Sequence, residues 1–152
     1  MIKLDLYGDP VAWQRPQFAR RGKHLHSYDG QEKLKVGCKW QLKSQYREQP
    51  ITAPVSIDIT FYMPIPKSTT AIRKRQMLHG KMYHMKRPDL DNLQKFVLDC
   101  LNQIILIDDA QVVEIRARKI YSDKPGTLIR LLPLSEHQQK DNDDYEDISR
   151  TS

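Results

Sequence analysis

The apolar residues Leu93, Phe96, Val97, Cys100, Leu101 and Ile104 recur at i, i+3, i+4, i+7, i+8 and i+11. That is one continuous stripe at the helical period, so the chain is committed to a helix there. Leu98 and Ile105 lie off the stripe, which predicts a helix covered on more than one side. Pro88 disfavours helix at Arg87, and Asp91 or Asn92 can cap the first free backbone N–H groups. Both ends of the helix are acidic: Asp89 and Asp91 sit at its start, and Asp108 and Asp109 follow it. About fourteen helical residues rise roughly 21 Å, which would hold the two acidic sites apart. A strand starting near Gln111, laid beside one that ends near Asp89, would bring them together at the head of a sheet. That convergence is the expectation.

Asp89 and Asp91, two apart on an extended segment, would point to opposite faces. Both reach one site only if the chain turns into the helix between them, and Pro88-Asp89-Leu90-Asp91-Asn92 suits such a corner. Crowded carboxylates need positive charge among them. Hard oxygen ligands, no nearby histidine or cysteine pair, and Lys95 one turn on describe a magnesium site working on a phosphate. The simpler alternative makes Asp91 a helix cap and Asp108-Asp109 a turn, with no shared site. Spacing alone leaves both open, because Asp-x-Asp often arises by chance.

The block Arg87-Pro88-Asp89-Leu90-Asp91-Asn92-Leu93, with Lys95 and then Asp108-Asp109-Ala110-Gln111-Val112, resembles the signature of the RusA-type Holliday junction resolvases. These are small endonucleases of prophages and phages. Trp13-Gln14-Arg15-Pro16-Gln17-Phe18 is similar to that family's opening, a Pro/Arg-rich turn ahead of a short basic hairpin. The resemblance runs from about Leu4 to Leu134. It implies a homodimer that cuts four-way DNA junctions symmetrically with Mg²⁺, or with Mn²⁺ in its place. It also implies catalytic, metal-holding carboxylates at Asp89, Asp91 and Asp109 and a catalytic lysine at Lys95. Members differ by a residue in the spacing between the acidic blocks, so Asp108 stands as the alternative to Asp109.

Charge agrees with a polyanionic partner. From Ser135 onward six acidic residues face only Lys140 and Arg150, leaving residues 1–134 with 23 basic against 13 acidic residues, a net +10. Candidate phosphate contacts are Arg15, Arg20, Arg21 and Lys23 near the N-terminus, then Lys67, Arg73, Lys74 and Arg75, and Arg87 at the acidic corner. Trp13, Phe18 or Tyr28 could stack on bases, although each is more readily explained as core. At 152 residues, 39% of them apolar, the chain suits one domain with a modest core. No apolar run reaches membrane-spanning length, and there is no signal-peptide pattern. Cys38 and Cys100 are two lone thiols, which fits the cytoplasm. Glycine is scarce at six residues and no phosphate cradle occurs, so a nucleotide cofactor is not expected.

Along the chain, Ile2 to Tyr7 and Val55 to Tyr62 alternate as half-buried strands, and Gln14 to His26 reads as a basic hairpin or arm. Gln31 to Glu48 is an amphipathic helix with Leu34, Cys38, Gln41, Leu42 and Gln45 on one face. Ser68 can cap a helix through about Leu78, and Met82 to Met85 is a short extended approach to the corner. Val112 to Tyr121 and Thr127 to Leu132 are the last strands, joined by a turn, and the acidic stretch 135–152 reads as a disordered tail. The expectation is an α+β (mixed α/β) domain over 1–134: a small sheet with flanking helices, acting as a homodimeric resolvase of branched DNA. The main rival is a structure-selective DNA-binding protein without catalysis. A hydrolase or transferase of small phosphates would leave the basic body unexplained.

Overall fold

The computed structural model describes residues 1–135. The expected acidic tail, 135–152, falls almost wholly outside them. The elements in order are β1 (Ile2–Tyr7), β2 (Gln17–Arg21), β3 (His24–Tyr28), α1 (Glu32–Gln45), β4 (Val55–Pro64), α2 (Ala71–Leu78), α3 (Leu90–Leu101), β5 (Val112–Ser122) and β6 (Gly126–Pro133). This is the expected α+β class.

Strand β4 is the centre because every second residue from Val55 to Met63 is apolar, and Val55, Ile57, Ile59, Phe61 and Met63 are all buried. It pairs antiparallel with β6 and parallel with β5, and β1 completes the order β1-β6-β4-β5. Helix α3 lays the predicted stripe on this face, burying Leu93, Phe96, Val97, Cys100 and Leu101. Helix, sheet and Leu42 of α1 share one hydrophobic cluster. Truncating a fully buried member such as Phe61 to alanine costs about 3–5 kcal/mol.

Helix α1 is less amphipathic than its spacing predicts. Leu42 is buried, but Leu34 and Trp40 are exposed. Two of its inward residues serve a different end. Gln45 accepts from the backbone N–H of Asp5 and donates to its carbonyl, at 2.8 and 2.7 Å, and Gln41 accepts from the N–H of Tyr7 at 2.9 Å. These bonds satisfy the outer edge of β1, which among the described residues has only β6 as a strand neighbour.

Three expectations are corrected. No strand precedes Asp89; the chain from 79 to 89 is irregular. Strand β5 runs parallel to β4 instead, from Val112 opposite Val55 to Ser122 opposite Pro64. The cap of α2 is Thr70, which accepts from the N–H of Arg73, and not Ser68. Strands β2 and β3 form a separate two-stranded ribbon turned at Gly22, whose φ of +63° is one that side-chain-bearing residues avoid. The hairpin alternative for the basic segment is therefore the correct one.

Candidate nuclease site

The corner before α3 forms as its sequence requires: Pro88 keeps the chain out of helix and the first helical residue is Leu90. Asp89, and not Asp91 or Asn92, occupies the N-cap position, yet its side chain makes no capping bond. Asp91 accepts one bond, from the N–H of Asn92 at 2.9 Å. Both carboxylates are exposed at the positive end of the helix, where anionic groups are favoured. Asp89 thus makes no capping bond, while Asp91 takes up one free N–H of the first turn, as the structural alternative has it.

Lys95, one turn on, lies with its ammonium 3.6 Å from the centroid of the Trp13 ring. Trp13 is half-buried against the core, so its indole forms a seat for the Lys95 side chain. Its backbone is pinned on both sides. The Trp13 N–H donates to the carbonyl of Asn92 at 2.9 Å. The buried Gln31 donates to the Ala12 carbonyl at 2.7 Å and accepts from the Gln14 N–H at 2.9 Å. Nothing in the periodicity of the sequence marked Gln31. A buried glutamine between two loops is visible only once the loops are placed.

From Trp13 the chain passes Arg15 and enters the basic ribbon, so the head of α3 and the ribbon share one root. Every residue of β2 and β3 is exposed, including Arg20, Arg21, Phe18 and Leu25, and Lys23 lies in the turn. The root is held by Lys35, which bonds Asp29 at 2.7 Å and Asp99 of α3 at 3.2 Å. Lys67, Arg73, Lys74, Arg75 and Arg87 are also exposed, on the segment and helix that precede the corner.

The second acidic pair lies at the other end of α3. Its two members have different environments. Asp108 caps a 3-10 turn over Asp109–Gln111: it accepts from the Ala110 N–H at 2.9 Å, which holds its carboxyl below the usual range. Gln111 completes the box by accepting from Ile107 and Asp108 at 2.8 and 3.0 Å, and ties it to Ile51 and Ala53 at 2.7 and 2.9 Å. Asp109 caps nothing. A hydrogen bond with Asp108, then burial and the charges of Asp108 and Asp99, push its carboxyl upward.

The two pairs do not converge in one chain. Helix α3 is about 18 Å long, and Asp109 neighbours Asp99 near its end, while Asp89 and Asp91 sit at its start. Because β5 is parallel to β4, it starts beside Asp109 and only reaches the corner at Lys119, roughly 23 Å on. Among the described residues no three acidic, histidine or cysteine side chains are grouped to hold a metal ion. The expected meeting at the head of the sheet is thus corrected. The His84 ring lies 5.0 Å from that of Tyr121. A groove of about 620 Å³ between Trp40, Arg47, Pro50 and Ile104 lies away from the corner, by the far end of α3. Among the described residues no helix is long and apolar enough to cross a membrane.

Comparison with known proteins bears on the same residues. The family model for endodeoxyribonuclease RusA matches residues 7–132. An uncharacterized protein of Bacillus subtilis (strain 168), YqaN, is 36% identical over 138 residues, covering 88% of this chain and 97% of YqaN. The matched region holds the basic ribbon, the acidic corner and the second acidic pair, and this chain belongs to the RusA endodeoxyribonuclease family.

Proposed function

We propose that this protein is a Mg²⁺-dependent endonuclease that resolves four-way DNA junctions by paired symmetric cuts, acting as a two-fold dimer. The observation that carries this reading is the head of α3: two carboxylates the fold leaves available, a seated lysine, and a basic ribbon rooted beside them. Hard oxygen donors suit Mg²⁺, which one or two carboxylates hold together with waters and phosphate oxygens. The family resemblance adds Asp109, which lies at the other end of α3 in its own chain. The third carboxylate, Asp109, then comes from a second copy.

The edges of the sheet support this. The outer edge of β1 is closed by Gln41 and Gln45, whereas among the described residues β5 pairs only with β4 and its other edge has no strand. Along its first half Val113, Glu114, Ile115 and Arg116 are all exposed. An eleven-residue strand left open with two exposed β-branched residues is a template for pairing. Pairing across a two-fold axis at Ile115 sets Glu114 opposite the partner's Arg116, twice. Shifting that axis to Glu114 or Arg116 would oppose like charges. With Ile115 on the axis, the partner's Gln111 falls opposite Lys119, beside the corner, and carries the partner's Asp109 towards Asp89 and Asp91.

In this assembly Asp89, Asp91 and the partner's Asp109 would hold the metal. A bound Mg²⁺ supplies Lewis acidity at the scissile phosphoryl group and lowers the pKa of the attacking water. Lys95 presents its ammonium to the negative charge that develops during displacement. The ribbon and the α2 cluster of Arg73, Lys74 and Arg75 hold the arms by their phosphates. Two sites related by the two-fold axis yield paired cuts.

The test is cleavage of a labelled four-way junction with Mg²⁺, beside linear duplex and an EDTA control. Junction-specific paired nicks are expected, and tight binding without any nick would favour the non-catalytic alternative. Mixing inactive Asp91→Asn and Asp109→Asn chains then tests the shared site. Each mixed dimer would hold one intact site, so nicking of a single strand should return. Continued silence from mixed dimers would put all three carboxylates back in one chain. Glu114→Arg and Arg116→Glu should each weaken the dimer by sedimentation, and the double swap should restore it.

A further inference from the structure

Lys119 lies on the face of β5 that carries the core, at the position opposite Phe61, where the strand passes the head of α3. A lysine there is out of keeping with its neighbours: the same face of β4 is apolar from Val55 to Met63. The side chain is half-buried, and among the described residues it makes no ion pair with a carboxylate. Its ammonium instead donates to two backbone carbonyls, of Lys86 at 2.9 Å and of Pro88 at 3.0 Å. Those carbonyls bracket Arg87 and directly precede Asp89. The segment from 79 to 89 has neither helix nor strand of its own to fix it. A partly desolvated cation with only carbonyl partners is justified by the geometry it imposes, since charge-assisted bonds are short and directional.

We infer that Lys119 is a positioning residue for the proposed reaction: it ties the Asp89–Asp91 corner to the rigid sheet and so sets the carboxylates for the metal. This rests on the proposed metal-dependent cleavage. Lys119 does not touch the substrate in this scheme. Its effect is on where Asp89 stands, as an outer residue orients a metal ligand.

The experiment measures cleavage of a four-way junction against Mg²⁺ concentration for the wild-type protein, Lys119→Met and Lys119→Arg, with junction affinity measured separately in EDTA. Lys119→Met should raise the Mg²⁺ needed for half-maximal rate by about tenfold, with Lys119→Arg recovering most of the loss. Junction affinity in EDTA should stay within about twofold, because a single phosphate-independent contact is removed. A Lys119→Met protein with the wild-type Mg²⁺ requirement overturns the inference. If wild-type protein cuts no junction at any Mg²⁺ concentration, the proposed function itself fails, which is a different result. Should Lys119→Met not fold, Lys119→Cys alkylated with bromoethylamine regenerates an ammonium at nearly the same length. Its recovery of cleavage at low Mg²⁺ supports the positioning role. No gain over unmodified Lys119→Cys, with alkylated wild type as the control for Cys38, overturns it.

Discussion

The two ends of α3 carry similar residues and different work. At its head, Asp89 stands in the cap position without capping, and Asp91 takes a single local bond. At its tail, Asp108 caps a 3-10 turn that Gln111 closes and anchors to Ile51 and Ala53. Only Asp109 is left over there. All four carboxylates are exposed, but only Asp108 is built into a capping box; Asp89 makes no capping bond and Asp91 takes only its neighbour's N–H. Sequence pattern does not separate the two cases, since all four are aspartates next to a helical segment.

The sharpest way to break this comparison is to neutralise each carboxylate in turn. Asp91→Asn and Asp109→Asn should each lower junction cleavage by roughly 10³-fold, about 4 kcal/mol of transition-state stabilisation. Junction binding without metal should persist. Asp108→Ala should instead keep cleavage within a few-fold and lose about 1 kcal/mol of stability, the usual effect of an N-cap. If Asp108→Ala abolished cutting while Asp109→Asn spared it, the assignment at the tail would be reversed.

Gln111→Ala isolates the structural half of the tail. It removes bonds to four backbone groups, and thermal unfolding should shift by roughly 2–8 °C for a loss of about 1–2 kcal/mol. At the head, Trp13→Ala removes the seat of Lys95. A partly exposed cation–π contact is worth about 0.5–1 kcal/mol, so the cleavage rate should fall roughly two- to fivefold with junction affinity little changed. Binding that weakened while the rate held would mean that Trp13 meets DNA after all.

The smallest effect concerns His84. Burial, then the positive charges of Lys119 and Lys86, hold its imidazole below the usual 6.5. The folded state therefore takes up its proton later than the unfolded chain as pH falls, and stability declines as pH drops from about 6.5 towards the folded value. His84→Gln should flatten that part of a stability–pH profile measured by urea unfolding. An unchanged slope would show that His84 has no part in it.

Much of the fold was legible because it is local. The helical stripe from Leu93 to Leu101 and the alternation of β4 are periodicities within a few residues of each other, and burial of one face follows from them. The acidic corner was equally readable, as Pro88 and the Asp-Leu-Asp order act on their immediate neighbours. Where the sequence misled, a distant contact had intervened. Leu34 lay at helical spacing but is exposed, because α1 turns Gln41 and Gln45 to the β1 edge.

Local pattern alone sets the three helices, the strands other than the one expected before Asp89, the basic body, the acidic corner with Lys95, and the family those residues mark. Only the tertiary structure decided that β5 runs parallel to β4. That one choice of strand direction put Asp109 at the opposite end of α3 from Asp91. It also brought Lys119 to the Lys86 and Pro88 carbonyls. Strand direction and cross-chain contact depend on what packs against a segment. Local periodicity reports only which face of that segment is apolar.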